Sequence, residues 1–373
     1  ALVEELDASV ARVDGSGFRT TPALRSPALA TELGLSGDVW VKDETGNVSG
    51  SHKARHLMGV MLSLRVAESM GAADPETPLA IASCGNAALA AAVVARAAER
   101  RLLVFVPPSA EPAVIERLRT LGAELEVCER QPGEAGDPTV ARLMAVIAEG
   151  AVPFTVQGHL NGLAIEGGQT LAWELVDQLN AANSTMDRLI VHVGGGAFAS
   201  SAAAALEESV AGGQLKRLPV IDTVQTEGGY PLARAYERVA GQLGAIIGQP
   251  LTVEAADHAL EVVALHRSDF MWAWETEPVS IAHGILDDET YDWLAVVRAM
   301  LISGGRSVVV DEATLEAANA LARPAVGIDA DHTGTAGLAG LIQLTRDGIV
   351  RPDETVAVIF SGARREADAD TAH

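Results

Sequence analysis

One lysine stands out as a candidate for amine chemistry. The sequence of 373 residues contains three lysines, Lys42, Lys53 and Lys216, and arginine supplies most of the remaining positive charge. Lys53 follows a loop of small residues, 47–51, and begins a segment with helical spacing. A surface lysine at a helix start is the ordinary interpretation, but a fold can desolvate such an amine and make it a nucleophile for a Schiff base. We expect Lys53 to be the reactive amine, and expect alanine at Lys42 or Lys216 to change activity only a few-fold.

A second candidate is the turn 83–86, which contains Ser83, Cys84, Gly85 and Asn86 and lies between a predicted buried strand, 79–83, and an alanine-rich helix. Backbone N–H groups at such a helix start point towards an anion, so the turn could bind a substrate carboxylate. An ordinary helix cap explains the same residues. From this turn alone, the ordinary helix cap is the favoured interpretation.

A third candidate is the run Gly194-Gly195-Gly196-Ala197, which follows the predicted strand 188–193. Glycine lets the backbone approach a phosphate, and the dipole of the following helix favours the negative charge. Gly194 and Gly196 also fit the dinucleotide pattern G-x-G-x-x-A, with alanine at 199. That pattern requires an acidic residue about 20 positions later, and Glu227 comes too late. A structural tight turn is therefore favoured over a dinucleotide-binding site.

Composition excludes several classes of function. The formal charge of −23 argues against nucleic acid and anionic membranes as partners. Two cysteines are too few for a disulfide framework and favour a cytoplasmic protein. No apolar run reaches the roughly 20 residues of a membrane span, and no signal-peptide pattern opens the chain. We predict no metal site, because the histidines at 52, 56, 159, 192, 283 and 332 lack zinc-ligand spacing.

The order of predicted elements indicates an α/β fold. Strands and helices alternate at the spacing of βαβ units, which predicts parallel sheets with helices on both faces. A chain of this length exceeds a single core, so we expect two lobes. We place the large lobe at 1–52 and 157–373 and the small lobe at 53–156, with a ligand in the cleft where they meet. Segment 246–289 is expected to be irregular.

Taken together and in this order, the lysine loop, the Ser83 turn, the glycine turn and a final strand ending in Ser361-Gly362 resemble one family. They are similar to the fold-type II pyridoxal-phosphate enzymes, the superfamily of the tryptophan synthase β chain. The resemblance runs from about Thr20 to Ser361, nearly the whole chain. It implies the two-lobed fold-type II fold, pyridoxal 5'-phosphate as the cofactor, a small amino-acid substrate and a homodimer.

The resemblance also implies a role for each matching residue. Lys53 would hold the cofactor as a Schiff base, and Ser361 would sit at its pyridine nitrogen. A serine hydroxyl there stays neutral, which favours elimination or replacement at the β carbon over transamination. The remaining implied contacts are His52 and Gly194, Gly195, Gly196 and Ala197 at the phosphate, Asn86 at the 3-oxygen, and Ser83, Cys84, Gly85, Asn86 and Ala87 at the substrate carboxylate.

The motifs of this sequence do not agree on one subfamily. His52-Lys53 resembles the tryptophan synthase β pattern, whereas the Ser83–Ala87 turn resembles threonine-type enzymes. The resemblance implies a lyase that eliminates the β substituent of a small β-hydroxy or β-substituted amino acid, as threonine and serine dehydratases do. The alternative is a β- or γ-replacement synthase similar to threonine synthase, cysteine synthase or tryptophan synthase β. A dinucleotide-binding enzyme or an inactive small-molecule binder is the alternative from another class.

Overall fold

The structure is a computed structural model that describes residues 1–131 and 136–365. Strands and helices alternate along most of this part of the chain, as predicted. The strands are β1 (Ala23–Arg25), β2 (Val39–Asp43), β3 (Leu79–Ala82), β4 (Leu102–Val106), β5 (Glu124–Val127), β6 (Val152–Pro153), β7 (Arg188–His192), β8 (Val220–Thr226), β9 (Ser307–Val310) and β10 (Val356–Phe360).

The helices connect these strands and cover the sheets. They are α1 (Leu2–Asp14), α2 (Pro27–Glu32), α3 (Lys53–Ser69), α4 (Asn86–Ala97), α5 (Pro112–Thr120), α6 (Pro138–Ala148), α7 (Leu163–Ala181), α8 (Ala197–Ala211), α9 (Pro231–Leu243), α10 (Val253–Leu265), α11 (Trp293–Ser303), α12 (Glu312–Val326) and α13 (His332–Arg346). Among the described residues, none of the helices has the length and apolar character that crossing a membrane requires.

The strands form two sheets. One has six strands in the order β1-β2-β10-β7-β8-β9, and the other has four in the order β5-β4-β3-β6. Every pairing is parallel except that of β1 with β2. Because parallel strands share one carboxyl edge, the turns after β7 and β10 lie at neighbouring strand ends. The predicted α/β class with parallel sheets is confirmed.

The described chain divides into two compact units. The small unit contains Ala1–Thr20 and Gly46–Gly168, and the large unit contains Thr21–Thr45 and the described residues 169–365. These bounds differ from the lobes expected at 1–52 and 53–156. The reason is helix α1, which packs on α4 and so joins the small unit. Lys53 and His52 both belong to the small unit.

Local sequence explains where several elements begin. Ser26 caps α2 through its hydroxyl, which accepts from the Leu29 N–H at 3.2 Å, and Pro27 occupies the first helical position. Central strands such as β7 and β10 are buried along their whole length and consist largely of aliphatic residues. Alanine-rich α4 packs its small side chains closely within the core of the small unit.

A buried arginine forms ion pairs that link the starts of β7, β8 and β10 in the large unit. Arg188 begins β7 and is buried; its Nε donates to Glu354 Oε2 at 2.7 Å, and its Nη1 donates to Asp222 of β8. Both carboxylates are also buried, and Asp222 accepts from the Arg306 N–H at 2.8 Å. Burial raises the pKa of Asp222, and the charge of Arg188 opposes that rise.

Two helices depart from the sequence prediction. Helix α10 lies inside segment 246–289, which was expected to be irregular, and that expectation is wrong for 253–265. Thr252 caps it, accepting from Ala255 N–H at 3.3 Å, and apolar residues follow at helical spacing. Helix α1 was not predicted either; it buries only Leu6 and Val10, so its apolar stripe is narrow.

Candidate active site

Lys53 is the first residue of α3 and follows a strained loop. The loop forms a short 3₁₀ turn, Val48–Gly50, in which Ser49 has φ +57°. Such a conformation is costly for a residue with a side chain, and it is held here by the Ser49 N–H, which donates to Asp14 Oδ2 at 2.9 Å. His52 occupies the N-cap of α3. The predicted arrangement of a small-residue loop ahead of a helical lysine is therefore present.

His56, one turn after His52, is a buried neutral base beside the lysine. Its Nδ1 lies 2.8 Å from the Ala164 carbonyl, which can only accept, so Nδ1 carries the proton and Nε2 is the acceptor. Burial lowers the pKa of His56 to about 3, aided by the charges of Lys53 and Arg55. The His52 and His56 rings meet edge to face with centroids 5.6 Å apart.

The structure separates the three lysines by environment. Lys42 is fully buried, and its Nζ donates to Glu174 Oε2 at 2.8 Å, Gln178 Oε1 at 2.9 Å and the Thr21 carbonyl at 2.7 Å. Lys216 is exposed. Lys42 is thus committed to a structural ion pair, and its truncation would remove this partner of Glu174. That Lys42→Ala changes activity only a few-fold stays a prediction.

The turn after β3 presents backbone donors at the start of α4. Gly85 is the N-cap, and the Ser83 hydroxyl accepts from its N–H at 3.4 Å. Within the described chain, the N–H groups of Ala87 and Ala88 donate no hydrogen bond. First-turn N–H groups of this kind suit a carboxylate. Cys84 at the turn is exposed.

Helix packing brings the lysine segment and this turn together within the small unit. Helix α4 packs against both α3 and the 3₁₀ turn Val48–Gly50. A close approach of α3 to α7 supports the arrangement, because a Cβ built on Gly59 would lie 2.8 Å from Gly167 Cα. A Cβ on Gly167 would lie 2.4 Å from the Arg55 carbonyl oxygen. Only glycine fits at either contact.

The glycine turn after β7 fits an anion such as a phosphate. Gly196 has φ +95° and is the N-cap of α8. In the part of the chain that the structure describes, the N–H groups of Gly195, Gly196 and Ala197 donate no hydrogen bond. The turn also excludes side chains: a Cβ on Gly194 would lie 2.5 Å from Asp287 Oδ2. Three unpaired donors at the start of a 15-residue helix match the needs of a phosphate group.

Ser361 lies at the neighbouring strand end of the large unit. It follows β10, which pairs with β7, and it is only 2% exposed. Its N–H is 3.4 Å from the Gly334 carbonyl in the first turn of α13, and Gly362 after it has φ +117°. A buried hydroxyl at this place has the chemistry expected of a group that shares a hydrogen bond with a ring nitrogen.

Sequence reasoning missed the residues that cover the glycine turn. A segment that we call the strap, residues 285–292, lies against the turn and contributes Thr290. Gln225, at the end of β8, contacts both the turn region and the strap. The strap falls largely within the segment expected to be irregular, so no pattern pointed to it. His56 was considered only as a zinc ligand, although its i, i+4 spacing from His52 was visible.

Comparison with known proteins agrees with this geometry. The family described as "Pyridoxal-phosphate dependent enzyme" matches residues 16–362. Threonine synthase of Methanocaldococcus jannaschii is 24% identical over 344 residues, which is 92% of this chain and 74% of that protein. L-serine dehydratase of Saccharomyces cerevisiae is 26% identical over 219 residues, 58% of this chain and 61% of the yeast protein. A crystal structure of T.th. threonine deaminase superimposes with a TM-score of 0.69 at 22% identity, covering 97% of this chain and 98% of the deaminase chain.

Proposed function

This chain belongs to the pyridoxal-phosphate dependent enzymes, as the sequence resemblance predicted, and from that premise we propose that it is a lyase acting on a small β-hydroxy or β-substituted amino acid. Pyridoxal phosphate is its cofactor. The observation that carries the proposal is the glycine turn, whose three unpaired N–H groups at the start of α8 suit the phosphate. The dehydratase and deaminase relatives support elimination as the reaction.

In this proposal each residue has a separate task. The cofactor, when bound to an amino acid, withdraws electrons from the α carbon and so acidifies the α proton. Lys53 Nζ binds the cofactor covalently and later accepts the α proton. The N–H groups of Ala87 and Ala88 orient the substrate carboxylate, and those of Gly195 and Gly196 hold the phosphate. The other assignments proposed for this site are His52 at the phosphate, Asn86 at the 3-oxygen, and the turn residues Ser83, Cys84 and Gly85 at the carboxylate.

The Ser361 hydroxyl favours elimination over transamination. A hydroxyl at the pyridine nitrogen remains neutral and shares one hydrogen bond, whereas a carboxylate would hold the ring protonated. With Ser361 at that position, the bound ring would supply a weaker electron sink, which favours loss of the β substituent. Exchanging Ser361 for Asp should therefore lower the ratio of elimination to transamination, measured as keto acid formed with and without loss of the β substituent.

The test of the proposal is Lys53→Ala against a matched control. We expect Lys53→Ala to abolish keto acid formation from serine or threonine, because alanine cannot supply the amine. Lys216→Ala, at an exposed lysine, should keep the parental rate. Borohydride reduction of the loaded enzyme should label the peptide containing Lys53. Label on the Lys216 peptide, or full activity in Lys53→Ala, would end the assignment.

A replacement synthase is the second candidate, favoured by the similarity to threonine synthase over 92% of the chain. A synthase needs a second substrate, so little keto acid would form in its absence, and adding a thiol, indole or other nucleophile would give the substituted amino acid instead of a keto acid. Assays with serine, threonine and a phosphorylated β- or γ-substituted amino acid separate the two. We also propose a homodimer in the cytoplasm, which sedimentation of the purified protein and cell fractionation would test.

A further inference from the structure

The carbonyl oxygens of the glycine turn are bound by the strap. Thr290 Oγ1 donates to the Gly194 carbonyl at 2.9 Å, and the Asp292 N–H donates to the Gly195 carbonyl at 2.8 Å. In a trans peptide the C=O and the following N–H point in opposite directions. Fixing the Gly194 carbonyl towards the strap therefore directs the Gly195 N–H away from it. The same holds for the Gly195 carbonyl and the Gly196 N–H.

Gln225 directs the Thr290 hydroxyl. The Gln225 Oε1 accepts from the Leu232 N–H at 2.9 Å and from the Ala233 N–H at 3.1 Å, in the first turn of α9. These two donors fix the orientation of the amide, so Nε2 faces the Val193 carbonyl at 3.3 Å and Thr290 Oγ1 at 3.5 Å. Thr290 accepts from Gln225 and has its own proton left for Gly194. Both side chains are buried, at 1% and 0% exposure.

Packing closes the same side of the turn. A Cβ on Gly196 would lie 2.9 Å from the Thr290 methyl carbon Cγ2, and a Cβ on Gly195 would lie 3.2 Å from the Tyr291 ring. The turn cannot shift towards the strap. A peptide flip would break the bond from Thr290 and would point a carbonyl oxygen at the bound anion, which repels it.

We propose that Thr290, oriented by Gln225, is a positioning residue that locks the peptide planes of the glycine turn and thereby sets the affinity for the cofactor phosphate. The inference rests on the proposed role of the turn as the phosphate site. Thr290 acts through the turn: its hydroxyl binds the Gly194 carbonyl and supplies no atom to the reaction. Its loss should weaken binding of the phosphate and leave the amine chemistry of Lys53 intact.

The test compares pyridoxal 5'-phosphate with pyridoxal, which lacks the phosphate, on cofactor-stripped full-length protein. Absorbance titration gives a dissociation constant for each ligand. The constant for pyridoxal divided by that for pyridoxal 5'-phosphate reports the phosphate contribution. Thr290→Val keeps the side-chain shape and removes the hydroxyl; we expect its dissociation constant for the phosphorylated form to rise roughly tenfold, the effect of misdirecting one charge-assisted hydrogen bond. The constant for pyridoxal should stay within about twofold of the parent.

Thr290→Ser is the matched control, because it keeps the hydroxyl and loses only the methyl group. It should bind the phosphorylated form much as the parent does, which a role in packing alone would not predict. If Thr290→Val fails to fold, Thr290→Ala serves, because it also removes the hydroxyl. Its dissociation constant for the phosphorylated form should likewise rise relative to that for pyridoxal. A parental ratio in either hydroxyl-free variant, or equal weakening of both ligands, overturns the inference. A parent that binds both ligands equally refutes the phosphate site itself.

Discussion

His56 should make the folded protein sensitive to mild acid. Its ring is buried and neutral, with Nδ1–H donating to the Ala164 carbonyl. Burial, with the charges of Lys53 and Arg55, lowers its pKa to about 3 in the folded protein, compared with 6.5 for a free histidine. Between these two values the unfolded chain binds the proton and the folded chain does not. Folding stability therefore rises with pH across this window and is lost as the pH falls through it.

The size of the effect follows from the two pKa values. Around pH 5 the unfolded histidine is almost fully protonated and the folded one is not, which favours unfolding by about 2 kcal/mol. Above about pH 7.5 the contribution vanishes, because both states are neutral. His56→Asn keeps an N–H near the Nδ1 position for Ala164 and removes the titration. The variant should lose overall stability from its smaller side chain, yet its stability should fall less steeply towards acid.

Urea denaturation of parent and variant at a series of pH values measures this difference. The free energy of unfolding of the parent should drop by about 2 kcal/mol more than that of His56→Asn between about pH 7.5 and 5. His258→Asn is the control, because the His258 side chain is 86% exposed and should leave the slope unchanged. Equal slopes for the parent and His56→Asn would refute the argument that His56 stays neutral in the fold.

Three further predictions follow from packing and charge, and the second has its own control substitution. Glu174→Gln should destabilise the protein by about 3–5 kcal/mol in thermal or urea unfolding, because it removes the carboxylate paired with buried Lys42; equal stability would contradict that pairing. Arg188→Met should cost a similar 3–5 kcal/mol by removing the buried ion-pair partner of Asp222 and Glu354, and Arg217→Met at an exposed ion pair should cost less than about 1 kcal/mol. Gly167→Ala should lower the melting temperature, since its Cβ would overlap the Arg55 carbonyl; a parental melting temperature would show that the two helices can separate.

The repeated strand and helix units were predictable because their signals are local. Buried parallel strands are short apolar runs, and caps such as Ser26-Pro27 mark helix starts. Lys53 was a visible candidate because lysine is scarce, and the glycine turn was a visible candidate because glycine permits a conformation at Gly196 that other residues avoid. Both signals depend on residue type alone.

The contact of the strap with the glycine turn and the ion pair of Lys42 could not be predicted from local signals. Thr290 reaches the glycine turn across 96 residues of sequence, and no periodicity encodes that contact. Lys42 lies in β2, and only the fold reveals its ion pair with Glu174, which is 132 residues away in the sequence. Long-range polar pairs depend on how the elements pack, so the residues that position the site are less visible than those that form it.

The distribution of lysines also has a practical consequence for attaching the protein to a surface or dye. Lys42 is inaccessible inside its ion pair, Lys53 is only partly exposed, and Lys216 is exposed after α8. Amine-directed reagents should therefore react chiefly at Lys216 among the lysines, and excess cofactor should protect Lys53 during the reaction. A protein immobilised through this residue would be attached at the surface that follows α8, without any engineered tag.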